Sequence, residues 1–130
     1  MGRRILIVED EPAFAEVLTE LLVDEGYSVV HVRDGLSALN LLTGSASRHV
    51  DMILCDVMLP SLRGDRVAAE VRARVPDRRL PILLMSASAD PRVTLRDVSF
   101  MPKPFDSADL IDHIDSMLAT GSQPGAAAAS

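Results

Sequence analysis

The sequence has little of several residue types, and each shortage excludes a class of protein. Its 130 residues include one cysteine, Cys55, which excludes an internal disulfide and leads us to expect a reducing, cytoplasmic location. Thirteen basic residues against 19 acidic ones give a net charge of −6, which disfavours direct nucleic-acid binding. No apolar run reaches the roughly 18 to 20 residues of a membrane span, so no membrane association is expected.

Short apolar runs alternate along the chain with segments of helical periodicity. The runs predict five strands, at Ile5–Val8, Ser28–Val32, Met52–Cys55, Pro81–Met85 and Val98–Met101. The alternation implies right-handed crossovers, and therefore a parallel sheet with helices on both faces. The fold class predicted is α/β, with a doubly wound five-stranded sheet.

Apolar residues at three- and four-residue spacing predict the helices between these strands. The first runs from Pro12 to Gly26 and is expected to bury Phe14, Val17, Leu18, Leu21 and Leu22. The second is capped by Asp34 and ends at Gly44, and is expected to bury Leu36, Leu39 and Leu42. Two further helices are predicted at Gly64–Val75 and Asp106–Ala119.

One domain is expected over residues 1–119, because a chain of this length has room for one core. Residues 120–130, mostly Gly, Ala, Ser and Pro, have low complexity. They are expected to be a disordered tail or the start of a linker.

Polar side chains follow the predicted strands at one edge of the sheet. Strand one is followed by Glu9 and Asp10, strand three by Asp56, strand four by Ser86 and strand five by Lys103. Ligands of open parallel sheets gather at this edge. Clustered carboxylates repel unless a cation joins them, and hard oxygen ligands suit Mg²⁺. An aspartate is also a nucleophile toward phosphoryl groups.

Lys103 is the sole lysine among the thirteen basic residues. Arginine is used everywhere else, so a lysine here indicates that a compact, flexible point charge is needed. An ammonium and a hydroxyl are both suited to phosphate oxygens. The residues therefore predict Mg²⁺-dependent phosphoryl transfer to Asp56.

Four segments resemble the bacterial response-regulator receiver family, including the chemotaxis regulators. They are ILIVEDEP, ILCDVMLP followed by Gly64, PILLMSAS and MPKPF, in family order. The resemblance covers about residues 3–119. It implies a flavodoxin-like sheet of strand order 2-1-3-4-5, and a phosphorylation switch of a two-component or phosphorelay system.

The resemblance assigns a role to each residue of the predicted site. Asp56 matches the phosphoacceptor. Asp10 matches the direct Mg²⁺ ligand, while Glu9 stands where aspartate is commoner and would act mostly through water. Met58 matches the residue whose backbone carbonyl binds the metal. Lys103 matches the family lysine.

The resemblance also implies a conformational switch made by Ser86 and Phe100. The Lys103–Pro104 bond corresponds to one that is usually cis in the family. About 22 residues usually separate the switch hydroxyl from the lysine, but here the spacing is 17. The shorter spacing predicts that the fourth helix, between strands four and five, is short or irregular.

The partners implied are a sensor histidine kinase or a phosphotransfer protein as donor, and an unidentified downstream protein or output domain. Such a chain is a signalling phosphoacceptor and not an enzyme with a separate substrate. A phosphatase of similar chemistry generally carries a second aspartate two positions after the nucleophile, where this chain has Met58. The remaining alternative is a receiver-like interaction module that works without phosphorylation.

Overall fold

A computed structural model describes residues 2–44, 50–74, 80–87 and 98–121. Its five strands form one sheet in the order β2-β1-β3-β4-β5, and every neighbouring pair is parallel. The strands are β1 Arg4–Val8, β2 Ser28–Val32, β3 Met52–Asp56, β4 Ile82–Ser86 and β5 Val98–Pro102. The predicted doubly wound α/β fold and its strand order are confirmed.

Four helices cover the sheet in the parts of the chain just given. They are α1 Pro12–Asp24, α2 Gly35–Thr43, α3 Gly64–Arg74 and α4 Ser107–Gly121. Side chains of α1 and α4 form one apolar cluster with the sheet, and side chains of α2 and α3 form the other. The two clusters are the two faces of the sheet, so the core is divided into two layers.

Three predictions fall partly or wholly on residues outside the described ranges. The predicted fourth helix lies between Ala87 and Val98, and Val75 lies just beyond the described end of α3. Most of the predicted tail, residues 122–130, is also outside. At the predicted domain end, α4 continues to Gly121, two residues past the expected boundary.

The strand sequences explain their order in the sheet. β3 and β4 are buried at every residue and β1 at four of five, whereas β2 and β5 are only partly buried. Continuous apolar runs suit central strands, which are covered on both faces. The pairing of Val8 with Cys55 aligns the carboxyl ends of β1 and β3.

Local signals set the helix ends much as the sequence predicts. Asp34 caps α2, since its Oδ1 accepts a hydrogen bond of 2.8 Å from the Ser37 N–H. Pro12 occupies the first turn of α1. The chain leaves α1 through Gly26, whose φ of +96° is a conformation that favours glycine.

Two residues predicted to be buried are exposed. Val17 is 59% exposed and Leu36 is 53% exposed. The buried arc of α1 contains Ala15, Leu18 and Leu22, and Val17 precedes Leu18 by one residue, about 100° around the helix. In α2, the small residues Gly35 and Ala38 supply the buried surface of the first turns.

Within the described ranges, no helix is both long enough and apolar enough to cross a membrane.

Gly64 permits a close approach between the start of α3 and the end of β3. Its N–H donates to the Val57 carbonyl oxygen across 2.8 Å. A Cβ at this position would lie 2.2 Å from the Asp56 carbonyl oxygen and 2.9 Å from Val57 Cα. Both are backbone atoms, so neither can rotate away.

We therefore expect Gly64→Ala to lower the free energy of unfolding by about 1–3 kcal/mol, the usual cost of overpacking. Gly44→Ala is the matched control, because its nearest contact would be the Asn40 carbonyl oxygen at 3.3 Å. Urea unfolding followed by circular dichroism measures both. Equal stability of the two variants would contradict the steric argument.

Candidate functional site

Three carboxylates meet at the carboxyl edge of the sheet. Glu9 and Asp10 follow β1, and Asp56 ends the adjacent β3. One oxygen of each lies within 4.8 Å of the others. Glu9 is 1% exposed and Asp56 is 7% exposed, while Asp10 is the most open of the three. The sheet thus brings together three acidic groups that the sequence separates by up to 47 positions.

Lys103, which follows the edge strand β5, completes this cluster. Its Nζ lies 3.4 Å from Glu9 Oε1 and 3.6 Å from Asp56 Oδ2. It follows β5, and its backbone N–H donates to the Ser86 carbonyl oxygen across 2.8 Å. The Lys103–Pro104 peptide bond is cis, as the resemblance implied. The ammonium therefore bridges two buried carboxylates.

The environment of Glu9 opposes its ionisation. Burial raises its pKa above the ordinary glutamate value, and the nearby Asp56 charge adds to this effect. The Glu11 N–H, 3.1 Å from Glu9 Oε2, and the Lys103 ammonium act in the opposite direction. A cation between the carboxylates would relieve the remaining unfavourable energy.

The donor set fits Mg²⁺, which prefers carboxylate and carbonyl oxygens and retains several waters. Both oxygens of Glu9 already have partners, the Glu11 N–H and the Lys103 ammonium. Asp10 has the more accessible carboxylate. Direct coordination is therefore easier for Asp10 than for Glu9.

The loop after β3 holds the Asp56 carboxylate. The Met58 N–H donates to Asp56 Oδ1 across 3.3 Å, and the Met58 side chain is 55% exposed beside it. Arg63 Nη1 lies 3.5 Å from the Met58 sulfur, while Asp65 binds the same guanidinium. Nothing in the residue pattern relates an exposed arginine to a methionine five positions earlier, so the Arg63 contact is not evident from the sequence.

The predicted switch residues lie on the neighbouring strands. Ser86 ends β4 and is fully buried. Phe100 is half-buried within β5 and packs on the α2/α3 side of the sheet. Of the two predicted switch residues, Ser86 therefore lies at the same edge of the sheet as the carboxylates, whereas Phe100 does not belong to the carboxylate cluster.

Cys55 is a core residue at the penultimate position of β3. It is fully buried in the α2/α3 cluster, and burial raises its pKa far above the ordinary thiol value, with a further contribution from the Asp56 charge. Burial therefore disfavours the thiolate form. His31 has a role that the sequence did not suggest, because its Nε2 donates to the Glu9 carbonyl oxygen across 2.8 Å.

An aromatic ring also contacts the site. The Lys103 ammonium lies 4.2 Å from the centroid of the Phe14 ring, near the start of α1. The helical spacing predicts Phe14 on the inner face of that helix and indicates no other role for it. Only the tertiary structure reveals the contact, because the two residues are 89 positions apart in the sequence.

Comparisons with known proteins agree on one family. The profile described as "Response regulator receiver domain" matches residues 5–115. The response regulator MprA of Mycobacterium sp. (strain KMS) is 37% identical over 123 residues, which cover 91% of this chain and 51% of that protein. The chain therefore spans about half the length of the curated relatives it matches.

Two solved structures are similar over almost their whole length. The receiver domain of the sensor histidine kinase PA1611 from Pseudomonas aeruginosa PAO1 has a magnesium ion in its active-site cleft. It shares 30% identity at a TM-score of 0.79, covering 92% of this chain and 99% of that one. The response regulator TrrA from Thermotoga maritima, in complex with Mg²⁺–BeF, shares 29% identity at a TM-score of 0.75, covering 88% and 98%.

Proposed function

This chain belongs to the response-regulator receiver domain family, and from that premise we propose that it accepts a phosphoryl group on Asp56 in a Mg²⁺-dependent reaction. The single observation that carries the proposal is the position of Asp56. Its carboxylate lies in the acidic cluster and 3.6 Å from the sole lysine of the chain. A nucleophile, metal ligands and a cation for phosphate oxygens thus occupy one edge.

Four residues of the site have separate proposed roles in the transfer. An Asp56 oxygen attacks phosphorus, forming an O–P bond while the bond from phosphorus to the donor breaks and the donor group leaves with its electron pair. The Met58 N–H holds Oδ1 and so limits rotation of the carboxylate. Lys103 stabilises the negative charge that spreads over the phosphoryl oxygens, and the buried Ser86 hydroxyl is the proposed partner of one of them.

Glu9, Asp10, Asp56 and the Met58 carbonyl would hold the Mg²⁺. When bound, the ion neutralises charge on the transferring phosphoryl group. Without a metal ion, the site has three carboxylates and only one positive group, the Lys103 ammonium. Adding a phosphoryl group to this excess of negative charge would be unfavourable.

We propose that the chain is a signalling phosphoacceptor and not an enzyme with a separate substrate. Met58, two positions after Asp56, cannot transfer a proton as the second aspartate of a phosphatase does. The proposed donor is a sensor histidine kinase or a phosphotransfer protein. The proposed response is a conformational change at Ser86 and Phe100 that a downstream protein or output domain recognises.

Phosphorylation by acetyl phosphate and Mg²⁺ tests the acceptor. We expect intact-mass spectrometry to show addition of one phosphoryl group to the unaltered chain and none to Asp56→Asn, because the amide is not nucleophilic. Asp112→Asn, an exposed position on α4, is the matched control and should be labelled normally. Labelling of Asp56→Asn would refute the assignment, and an unlabelled chain would favour an interaction module.

The two acidic residues after β1 should contribute unequally to Mg²⁺ affinity. We expect Asp10→Asn to weaken binding by roughly tenfold or more, on the scale known for disturbed metal sites. Glu9→Gln should have a smaller effect, because both of its oxygens already have protein partners. Calorimetric titration with MgCl₂ measures both variants. A larger loss in Glu9→Gln would reverse the ranking.

Met58 should slow hydrolysis of the phosphoryl group, because its thioether cannot orient an attacking water. We expect Met58→Asn to speed dephosphorylation roughly two- to tenfold, equivalent to one net hydrogen bond of about 0.5–1.5 kcal/mol. Met58→Leu keeps the apolar bulk and serves as control. Loss of label is followed after removal of the phosphodonor. Equal rates in both variants would contradict a role for polarity at this position.

A further inference from the structure

Two carboxylates alone hold the Lys103 ammonium loosely. Its distances to Glu9 Oε1 and Asp56 Oδ2, 3.4 and 3.6 Å, are longer than the roughly 2.7–2.9 Å of a strong charge-assisted hydrogen bond. Lysine also has a flexible four-carbon stem, which carries about 2 kcal/mol of rotamer entropy. A further contact is needed if the ammonium is to be in place before the phosphoryl group arrives.

The ring of Phe14 supplies such a contact. The ammonium lies 4.2 Å from its centroid, well inside the roughly 6 Å limit for cation–π attraction. The Lys103 side chain is only 20% exposed, so water screens this attraction weakly. The electron-rich face of the ring therefore attracts the same cation that Glu9 and Asp56 attract.

Phe105 packs beside the ring. The two ring centroids are 6.1 Å apart and the rings are tilted by 53°, an arrangement favoured between aromatic side chains. Both rings line a cleft of about 370 Å³ together with Ala87, Lys103 and Pro104. Phe14 also packs against the buried residues of the α1/α4 cluster. The contacts with this cluster hold the ring where it meets the Lys103 ammonium.

We propose that Phe14 is a positioning residue for phosphoryl transfer: its ring holds the Lys103 ammonium against Glu9 and Asp56 through a cation–π contact. The inference rests on the proposed function for its consequence, the rate of phosphorylation. The contact itself is present in the unphosphorylated chain and does not depend on that function. A residue of α1 thereby contacts the lysine that follows β5.

Substitutions at Phe14 separate this role from simple packing. Phe14→Leu keeps an apolar side chain in the α1/α4 cluster but removes the ring, whereas Phe14→Tyr keeps the ring. Phe105→Leu is the matched control, because it removes a ring from the same cleft and leaves the one that contacts the ammonium. Thermal unfolding of all variants identifies any that are not folded.

The sole lysine makes the contact directly observable by NMR. Growth with lysine labelled with ¹³C at the ε carbon yields one side-chain signal, that of Lys103. We expect its ε protons to be shifted upfield by the Phe14 ring current in the full chain, in Phe14→Tyr and in Phe105→Leu. In Phe14→Leu the signal should move to the position of an unstructured lysine. An unchanged signal in folded Phe14→Leu would overturn the contact.

The consequence is measured as the initial rate of phosphorylation by acetyl phosphate at saturating Mg²⁺. We expect Phe14→Leu to be roughly three- to tenfold slower, a fold-change typical of a partly desolvated cation–π contact, and Phe14→Tyr and Phe105→Leu to stay near the unaltered rate. Equal rates in Phe14→Leu and the unaltered chain would overturn the positioning role. If the unaltered chain takes no label, the proposed function fails, whereas the NMR shift still reports on the contact.

Discussion

The parallel pairing of β1 with β3 is the constraint on which the site depends. It aligns Val8 with Cys55, so the acidic residues that follow these strands must meet at one edge of the sheet. Glu9 and Asp56 are nearly excluded from water there, and their mutual repulsion adds to the cost of burial. Two like charges buried in this way need positive charge nearby. The Lys103 ammonium provides one such charge, and the three carboxylates are close enough together to hold a metal ion.

The positive charge comes from a distant part of the chain. Lys103 follows β5, two strands away from β3, and its backbone is joined to the end of β4 by the hydrogen bond to the Ser86 carbonyl. The ammonium then reaches back across the sheet to both carboxylates. A change in charge at Asp56 is thereby connected through one side chain to the strands that carry Ser86 and Phe100. This connection is a physical route by which phosphorylation could alter the β4–β5 edge of the receiver domain.

The loop after β3 shows how closely the backbone is packed around the acceptor. The start of α3 approaches the Asp56 carbonyl so closely that only a hydrogen atom fits on Gly64 Cα. Arg63, the preceding residue, pairs with Asp65 and contacts the exposed Met58 side chain. The backbone of this loop therefore has little freedom next to the acceptor, while the Met58 side chain on its outer surface is exposed.

The strands, the acidic cluster and the role of the lysine were predictable from the residue pattern alone. Continuous apolar runs identify buried strands, and a parallel sheet brings the residues that follow them to one edge whatever the details of packing. Which apolar helix residues are buried depends on how each helix packs on the sheet, so the prediction that Val17 and Leu36 are buried was wrong. Only the tertiary structure decided that Phe14 contacts Lys103, that Arg63 contacts Met58 and that both Glu9 oxygens have partners. These contacts depend on how helices and loops are oriented across the sheet, and residue spacing along the chain contains no measure of that orientation.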